Sequence, residues 1–341
     1  MRPISRRDFL KVGAVSLAGL AFTPFLPEIT EFEDVNLVRV ATKAVSVYRE
    51  PSDLSPITGT WNRDELVNVY GEITAQGPKY NPVWYRVWGG YMHRARLQKV
   101  KVLYNKPLTS VPENGQLAEV TVPYSQSYRR VTKEGWQEQY RLYYGTVHWL
   151  VGIDTGPDGQ PWYRLLDELL EINYHVPAIH MRPIADEELA PISPDVPFEK
   201  KRIEVSLDTQ TLTAYENDQV AFQTEVSTGL AGLSNNNIPT VTPEGRFNVE
   251  GKMPSKHMGD GSLASDIEAY ELVGVPWNCF FTDQGHAFHG TYWHDNFGVP
   301  MSHGCVNMRT ADAKWLFRWT RPLAKLDRQT TIGFGTTVHI Y

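Results

Sequence analysis

The carboxy-terminal part of the chain opens with a regular alternation of apolar and polar positions. Residues 203–207 read Ile-Glu-Val-Ser-Leu, and residues 212–215 and 220–226 continue the pattern after short polar turns. Successive side chains of a β-strand point to opposite faces, so this spacing predicts three consecutive half-buried strands in a meander. We therefore expect a β domain over residues 202–341.

Residues 37–100 alternate in shorter segments that end at the turn Gly89-Gly90. Strands are predicted at 37–40, 45–48, 66–70 and 84–88. The order Val-x-Val-Tyr-x-x-Pro, Leu-Val-x-Val and Trp-Tyr-Arg-Val-x-Gly-Gly-Tyr-Met-His resembles the bacterial SH3-like wall-binding module. This resemblance implies a small β-barrel over residues 37–100.

A second copy of this module is predicted over residues 101–182. Trp162-Tyr163-Arg164-Leu165 repeats Trp84-Tyr85-Arg86-Val87, and Tyr174-His175 follows where Tyr91-Met92-His93 follows in the first copy. Chance recurrence of a common aromatic strand pattern is the alternative. Both modules could bind wall polymer or pack against the domain that follows, and the sequence leaves this open.

Two further elements complete the predicted organisation. Residues 183–201 are rich in proline and lack an apolar period, which indicates a linker. One helix is expected near the end of the chain, capped by Thr310 and ending before Pro322. Its buried face is predicted from helical spacing to contain Ala311, Trp315, Leu316 and Trp319. The chain is thus predicted to be mainly β, with one short helix.

The amino terminus, residues 1–30, has the form of a twin-arginine export signal. Ser5-Arg6-Arg7-Asp8-Phe9-Leu10-Lys11 precedes an apolar run from Val12 to Phe22. This run is shorter than the roughly twenty residues that a membrane-spanning helix needs. We therefore expect export through the Tat translocon to an extracytoplasmic location, the cell wall or periplasm. The membrane would be a partner only if the signal stays uncleaved.

Composition narrows the function. A formal net charge of −6 and a pI near 5.9 argue against a general nucleic-acid binder. Two cysteines in the whole chain exclude a disulfide framework and a cysteine-rich zinc module. No cofactor is predicted.

The two cysteines lie in different surroundings. Cys279 sits in an aromatic run, 275–281, that is typical of a buried strand. Cys305 lies in Ser302-His303-Gly304-Cys305-Val306-Asn307-Met308, sixteen positions after His289. A thiol of unperturbed pKa about 8.5 needs a neighbouring base or positive potential to act as a nucleophile. The sequence therefore favours Cys305 as nucleophile and His289 as base.

These motifs lead to a known family. His289-Gly290-Thr291, the Ser302–Met308 run, the opening meander, Ser227-Thr228-Gly229 and Thr242-Pro243-x-Gly245-x-Phe247 together resemble the L,D-transpeptidase catalytic domain, of YkuD type. The resemblance covers residues 202–341. It implies a β-sandwich with a cysteine nucleophile that cross-links or remodels peptidoglycan, with its tetrapeptide stems as substrate.

The resemblance also implies residue roles. Cys305 would form a thioester and pass the acyl group to an amine, with His289 as base and the Gly290 carbonyl orienting its ring. Amides around Gly304 and Cys305 would stabilise the oxyanion, and His303 would share that duty or orient the turn. Substrate contacts are expected from Tyr292, Trp293, Ser302, Asn307 and Arg309. Tyr292 and Trp293 would lie beside the groove as a substrate platform or, alternatively, as packing at its rim. Some relatives carry arginine at the position of Asn307, so the group that meets the donor's carboxylate stays open between Asn307 and Arg309.

Three alternatives accompany this interpretation. His286, His289, His294 and Cys305 could ligate zinc, although their spacing matches no usual zinc module, and no metal is predicted. Water as acceptor would make the enzyme an L,D-carboxypeptidase or cysteine hydrolase. A non-catalytic wall-binding protein is the third. A lid over the site is expected from residues 251–276, with a plain surface loop as the alternative.

Overall fold

The computed structural model describes residues 36–230, 234–235, 238–259, 271–325 and 328–341. The predicted export signal lies outside these ranges. All of the described residues belong to one structural unit of the chain. None of their helices is long and apolar enough to cross a membrane.

Residues 37–100 form two antiparallel sheets around a core of Val38, Val40, Val67, Tyr85 and Met92. The strands are β1 (Leu37–Val40), β2 (Ala44–Tyr48), β3 (Ile57–Asn62), β4 (Leu66–Asn68), β5 (Gly71–Thr74), β6 (Val83–Val87), β7 (Gly90–His93) and β8 (Leu97–Val100). Their orders are β4-β1-β8 and β3-β2-β7-β6-β5, and neither order closes into a barrel among the described residues. The likeness to an SH3-like module stays a prediction.

Residues 116–183 form one seven-stranded antiparallel sheet. Its strands are β9 (Gln116–Val120), β10 (Tyr124–Val131), β11 (Gly135–Tyr143), β12 (Val147–Thr155), β13 (Pro161–Asp167), β14 (Ile172–Pro177) and β15 (Met181–Pro183), in the order β11-β10-β14-β13-β12-β9-β15. The repeated segments 162–165 and 174–177 lie on β13 and β14, which pair as a hairpin with Trp162 opposite Pro177. This open sheet differs from the two-sheet arrangement of residues 37–100, and the predicted second module is not established.

The carboxy-terminal part begins with the predicted meander. Its elements are β16 (Lys201–Ser206), β17 (Thr211–Glu216), β18 (Gln219–Glu225), β19 (Ser234–Asn235), β20 (Ile238–Pro239), β21 (Gly245–Asn248), β22 (Gly251–Met258), β23 (Leu272–Phe280), β24 (Ala287–Gly290), β25 (Val306–Met308), α1 (Thr310–Trp319), β26 (Thr331–Ile332) and β27 (Thr337–Ile340). Two five-stranded sheets form, in the orders β18-β17-β16-β27-β21 and β25-β24-β23-β22-β26. The strands β19 and β20 pair with each other.

One core joins the two five-stranded sheets and the helix. Val205 and Leu212 of the first sheet, Trp277 and Phe288 of the second, and Leu316 of α1 belong to the same buried cluster. The predicted mainly β fold with a sandwich and a single helix after the cysteine motif is confirmed. Short 3₁₀ turns occur at Arg94–Arg96, Ala178–His180, Asp186–Leu189 and Phe198–Lys200.

The helix differs in detail from its prediction. Arg309 is the N-cap and makes no side-chain cap bond, and Thr310 is the first helical residue rather than the cap. Ala311 is exposed, and the buried face consists of Ala313, Leu316, Phe317 and Trp319. The predicted face was wrong at Ala311, because Ala313 and Phe317 lie toward the core instead, and Trp315 is only partly buried. The helix ends three residues before Pro322, as expected.

Candidate active site

Two adjacent strands bring the predicted catalytic residues together. β24 and β25 run parallel, with His289 opposite Asn307 and Phe288 opposite Val306. Phe288 and Val306 point into the sandwich core. Because side chains alternate along a strand, His289 and Asn307 share the opposite face, and Cys305 lies immediately before β25 at the same edge.

Cys305 is partly exposed, whereas the strands around it are buried. Its Sγ lies 3.9 Å from the carbonyl oxygen of Gly285. Burial of the thiol raises the pKa of Cys305 to about 11, and a hydrogen bond from the backbone of Ala287 offsets part of that rise. The side chain of Cys305 is therefore a thiol at neutral pH.

His289 is only 2% exposed. Its Nδ1 lies 3.1 Å from the carbonyl oxygen of Gly290, which was the orienting group expected from the sequence. Because a carbonyl only accepts, Nδ1 carries the proton and the lone pair is on Nε2. Burial lowers the pKa of His289 to about 4. A neutral imidazole with a fixed tautomer thus lies one strand away from the cysteine.

The cysteine sits on a turn that its own motif stabilises. The Ser302 hydroxyl donates to the carbonyl of Cys305 and accepts from the amide of Gly304 at 3.2 Å. Gly304 has φ +117°, and a Cβ at this position would lie 2.9 Å from the His286 ring. Only glycine fits this turn without displacing the ring.

The expected oxyanion donors can now be distinguished. The amide of Gly304 is already bonded to Ser302. The amide of Cys305 has no acceptor among the described residues. The Cys305 amide is therefore the donor of that pair that is available to a substrate oxyanion.

A second segment holds the motif from outside. Ser227 pairs with Asn307, and Gly229 pairs with Ser302, as isolated bridges. The hydroxyl of Thr242 accepts from the amide of Gly229 at 2.8 Å and donates to the carbonyl of Gly304 at 2.9 Å. The sequence indicated Thr242 only as part of the motif Thr242-Pro243-x-Gly245-x-Phe247, without a role of its own.

The side chain of Asn307 is held by His294, which the sequence had indicated only as a possible zinc ligand. The side-chain amide of Asn307 lies 2.8 Å from Nε2 of His294, and Nδ1 of His294 accepts from the amide of Asn296 at 3.2 Å. Burial lowers the pKa of His294 to about 3, so the ring is neutral and its proton is on Nε2.

That tautomer sets the orientation of the Asn307 amide. A protonated Nε2 donates, so Asn307 presents its oxygen to His294 and turns its NH₂ away. The atom of the Asn307 amide that faces away from His294 has no partner among the described residues. Asn307 therefore offers an unused donor on the face of His289.

The aromatic residues after the histidine differ from each other. Tyr292 is 3% exposed, stacks on Tyr143 at 5.6 Å between ring centroids, and donates its hydroxyl to the carbonyl of Val273 at 3.3 Å. The ring of Trp293 is partly buried and lies 5.7 Å from that of His289. This placement favours the packing alternative for Tyr292 and leaves Trp293 as the aromatic residue beside the base.

Arg309 is engaged within the protein. Its guanidinium donates to Glu225 at 2.9 Å and to Thr224 at 3.2 Å, and it stacks over the ring of Phe297 at 4.7 Å. The expected role in binding the donor's carboxylate would require these contacts to break. His303 is exposed at the surface of the motif.

The region upstream of the catalytic domain contacts the loop after His289. Arg39, 2% exposed, donates to the carbonyl of Tyr292 at 2.9 Å and to Asp64 at 2.8 Å. The Tyr85 hydroxyl donates to Asp295 at 3.2 Å. No local pattern in the sequence indicates the contacts with Tyr292 and Asp295, since these partners are more than two hundred residues apart.

Two predictions concern places that the structure describes only in part. Within the predicted lid, residues 251–258 belong to β22 and residues 272–276 to β23, which pair antiparallel, and residues 260–270 lie outside the described residues. No group of three or more His, Cys, Asp or Glu side chains in the described part of the chain is arranged to hold a metal ion. The four residues weighed as zinc ligands do not form such a group.

Comparison with known proteins identifies the carboxy-terminal part. Residues 200–340 match the YkuD family, described as the L,D-transpeptidase catalytic domain. This part of the chain is therefore an L,D-transpeptidase catalytic domain, as the sequence motifs predicted. The match does not extend to residues 37–182. No curated protein matched the chain.

Solved structures of L,D-transpeptidases are among the similar structures. One from Xylanimonas cellulosilytica DSM 15894 is 26% identical, covers 41% of this chain and 60% of its own, with a TM-score of 0.31. The catalytic domain of the L,D-transpeptidase from Enterococcus faecium is 23% identical. The match covers 42% of this chain and 98% of that domain, with a TM-score of 0.30. An L,D-transpeptidase from Mycobacterium smegmatis is 16% identical. The match covers 81% of this chain and 99% of that chain, with a TM-score of 0.33. This chain thus spans less than two thirds of the Xylanimonas structure.

Proposed function

We propose that this L,D-transpeptidase catalytic domain acts on peptidoglycan stem peptides with Cys305 as its nucleophile. The observation that carries the proposal is the partly exposed Cys305 at the edge strand next to a buried, neutral His289. A thiol and a base of fixed tautomer on neighbouring strands are what acyl transfer through a thioester requires.

The first step forms the acyl-enzyme. Sγ of Cys305 attacks the carbonyl carbon of the bond that precedes the terminal D-alanine, while Nε2 of His289 accepts the thiol proton. The carbonyl oxygen becomes an oxyanion, for which the Cys305 amide is the available donor. The carbon–nitrogen bond then breaks, the imidazolium returns its proton to the leaving amine, and D-alanine departs.

The second step transfers the acyl group. An amine of a neighbouring stem attacks the thioester, His289 takes its proton, and the carbon–sulfur bond breaks to restore the thiol. The neutral resting state of His289 suits both steps, because it can accept a proton in each attack and donate it in each collapse.

We extend the proposal to location and to the upstream modules. Residues 1–30 support export by the twin-arginine route to the cell wall or periplasm. A site outside the cytoplasm gives the enzyme access to assembled peptidoglycan. The modules of residues 37–182 would hold wall polymer near the site in addition to the contacts that Arg39 makes.

Intact-mass measurement tests the nucleophile, the substrate and the reaction class together. The purified chain is incubated with a disaccharide tetrapeptide, and we expect a mass increase equal to the donor less D-alanine, mapped to the Cys305 peptide. Cys305→Ala should show no adduct. An unmodified wild-type mass, together with no release of D-alanine, would overturn the proposal.

Product analysis then separates transferase from hydrolase. With an amine acceptor present we expect a cross-linked product in excess of free tripeptide. Tripeptide alone, at every acceptor concentration, would show that water is the acceptor and that the enzyme is an L,D-carboxypeptidase.

A further inference from the structure

A cavity of about 400 Å³ lies where three parts of the chain meet. Arg39, Arg63 and Arg96 of the first module line it together with Arg141 of β11 and Trp293 of the catalytic domain. Four of the lining side chains are arginines, and no sequence motif selected any of the four.

Two of the four arginines share one acidic partner. Arg39 pairs with one oxygen of Asp64 at 2.8 Å, and Arg141 pairs with the other at 2.6 Å. Arg63 and Arg96 are exposed and have no acidic partner among the described residues. Glu271, the acidic residue that lines the described wall, lies 3.1 Å from His257. The cavity thus presents an excess of positive charge to an entering group.

The cavity adjoins the catalytic base. Trp293 is part of its wall, and the Trp293 ring lies 5.7 Å from the ring of His289. After burial, the positive charge of Arg96 is the next cause that lowers the pKa of His294, so this charge acts close to the site. A peptide held in the site by its reacting carbonyl could therefore reach this wall with another of its groups.

We infer that this cavity is a subsite for carboxylate groups of the donor stem peptide, with Arg63 and Arg96 as the groups that bind them. The inference rests on the proposed function and specifies how the donor is recognised. A carboxylate requires a charged partner when it leaves water, and an arginine fork suits its two oxygens. Arg309, the alternative from sequence, is already paired with Glu225.

The test uses the full chain with Cys305→Ala, so that the tetrapeptide binds without turnover. Calorimetry compares this background with and without the double substitution R63Q/R96Q. We expect Kd to rise about tenfold, as for loss of charge-assisted hydrogen bonds. In the active enzyme the same pair should raise KM with little change in kcat.

A matched control removes the same charge from the same module. Arg49 and Arg86 are exposed and do not line the cavity. R49Q/R86Q should leave Kd within about twofold, as expected of surface charges away from the ligand. Equal affinities for R63Q/R96Q and R49Q/R86Q would overturn the inference.

Amidated donors identify the carboxylate. One donor carries a terminal amide, and a second carries amides on its side-chain carboxylates. We expect one of the amidated donors to bind the protein about tenfold more weakly than the unmodified donor. For that donor, R63Q/R96Q should cause no further loss of affinity. If the arginine substitutions weaken both amidated donors as much as the unmodified one, the arginines do not contact a carboxylate.

Failure of the inference can be told from failure of the proposed function. If wild type forms the acyl-enzyme but R63Q/R96Q binds and reacts normally, the inference alone fails. If wild type forms no acyl-enzyme and Cys305→Ala does not bind the tetrapeptide, the proposed function fails.

Discussion

The two cysteines of the chain lie within or beside the same sheet and have very different surroundings. Cys279, on β23, pairs with Phe288 of β24, while Cys305 directly precedes β25 on the other side of β24. Cys279 is fully buried in the sandwich core, and Cys305 is partly exposed on a polar turn. One strand separates a buried thiol from the proposed nucleophile.

Acidity does not explain the difference. Burial raises the pKa of both thiols. Cys279 even has a nearby cation, Lys252, that counteracts this rise. What Cys279 lacks is access to solvent and a base, since its Sγ lies 3.6 Å from the Thr320 hydroxyl within the core. Under the proposed function, the reactivity of Cys305 would follow from its position beside His289 and not from a low thiol pKa.

Substitution of each cysteine gives the largest expected contrast. Cys305→Ala and Cys305→Ser should lower acyl-enzyme formation by at least about 10³-fold, because no other nucleophile is in place. Cys279→Ala should keep most of the activity. D-alanine release from the tetrapeptide measures both.

The contrary result would be informative. Equal losses in the Cys305 and Cys279 variants would mean that the two sites are coupled and that the contrast between them is mistaken. Thermal unfolding of Cys279→Ala provides the control, since removal of a buried sulfur is expected to lower stability by about 1 kcal/mol.

Substitution of the base is the next largest effect. His289→Gln should reduce acylation by about 10²- to 10⁴-fold, because glutamine preserves size but does not accept the thiol proton. His339→Gln, on β27 outside the site, is the matched control and should stay near wild-type activity. Stopped-flow measurement of D-alanine release compares them. Acylation by His289→Gln at the wild-type rate would exclude His289 as the base.

The carboxy-terminal fold could be predicted because its signals are local. Strict alternation over residues 203–207 marks a strand, and the aromatic run around Cys279 marks a buried one. The link between His289 and the Gly290 carbonyl was also predictable, since neighbouring residues form it.

What the sequence could not supply depends on distant contacts. Tyr292 looks like a residue beside the groove until Tyr143 and Val273 are seen to cover it. Arg309 looks free until Glu225 is placed against it. Arg39 reaches Tyr292 across 253 positions of sequence, and no periodicity within either segment indicates that pair.

The smallest expected effect is that of pH on acylation. His289 is neutral above about pH 4 and the Cys305 thiol is protonated below about pH 11. The reactive pair, thiol and neutral imidazole, therefore persists across the range between these values. Acylation by the tetrapeptide should change less than about threefold from about pH 5.5 to 8.5. A tenfold rise per pH unit would instead show a thiolate formed by simple titration, as expected of an unassisted cysteine.

The difference in ultraviolet thiolate absorbance between wild type and Cys305→Ala at neutral pH should be close to zero. A full thiolate signal would show a resting ion pair with His289 instead of the neutral pair.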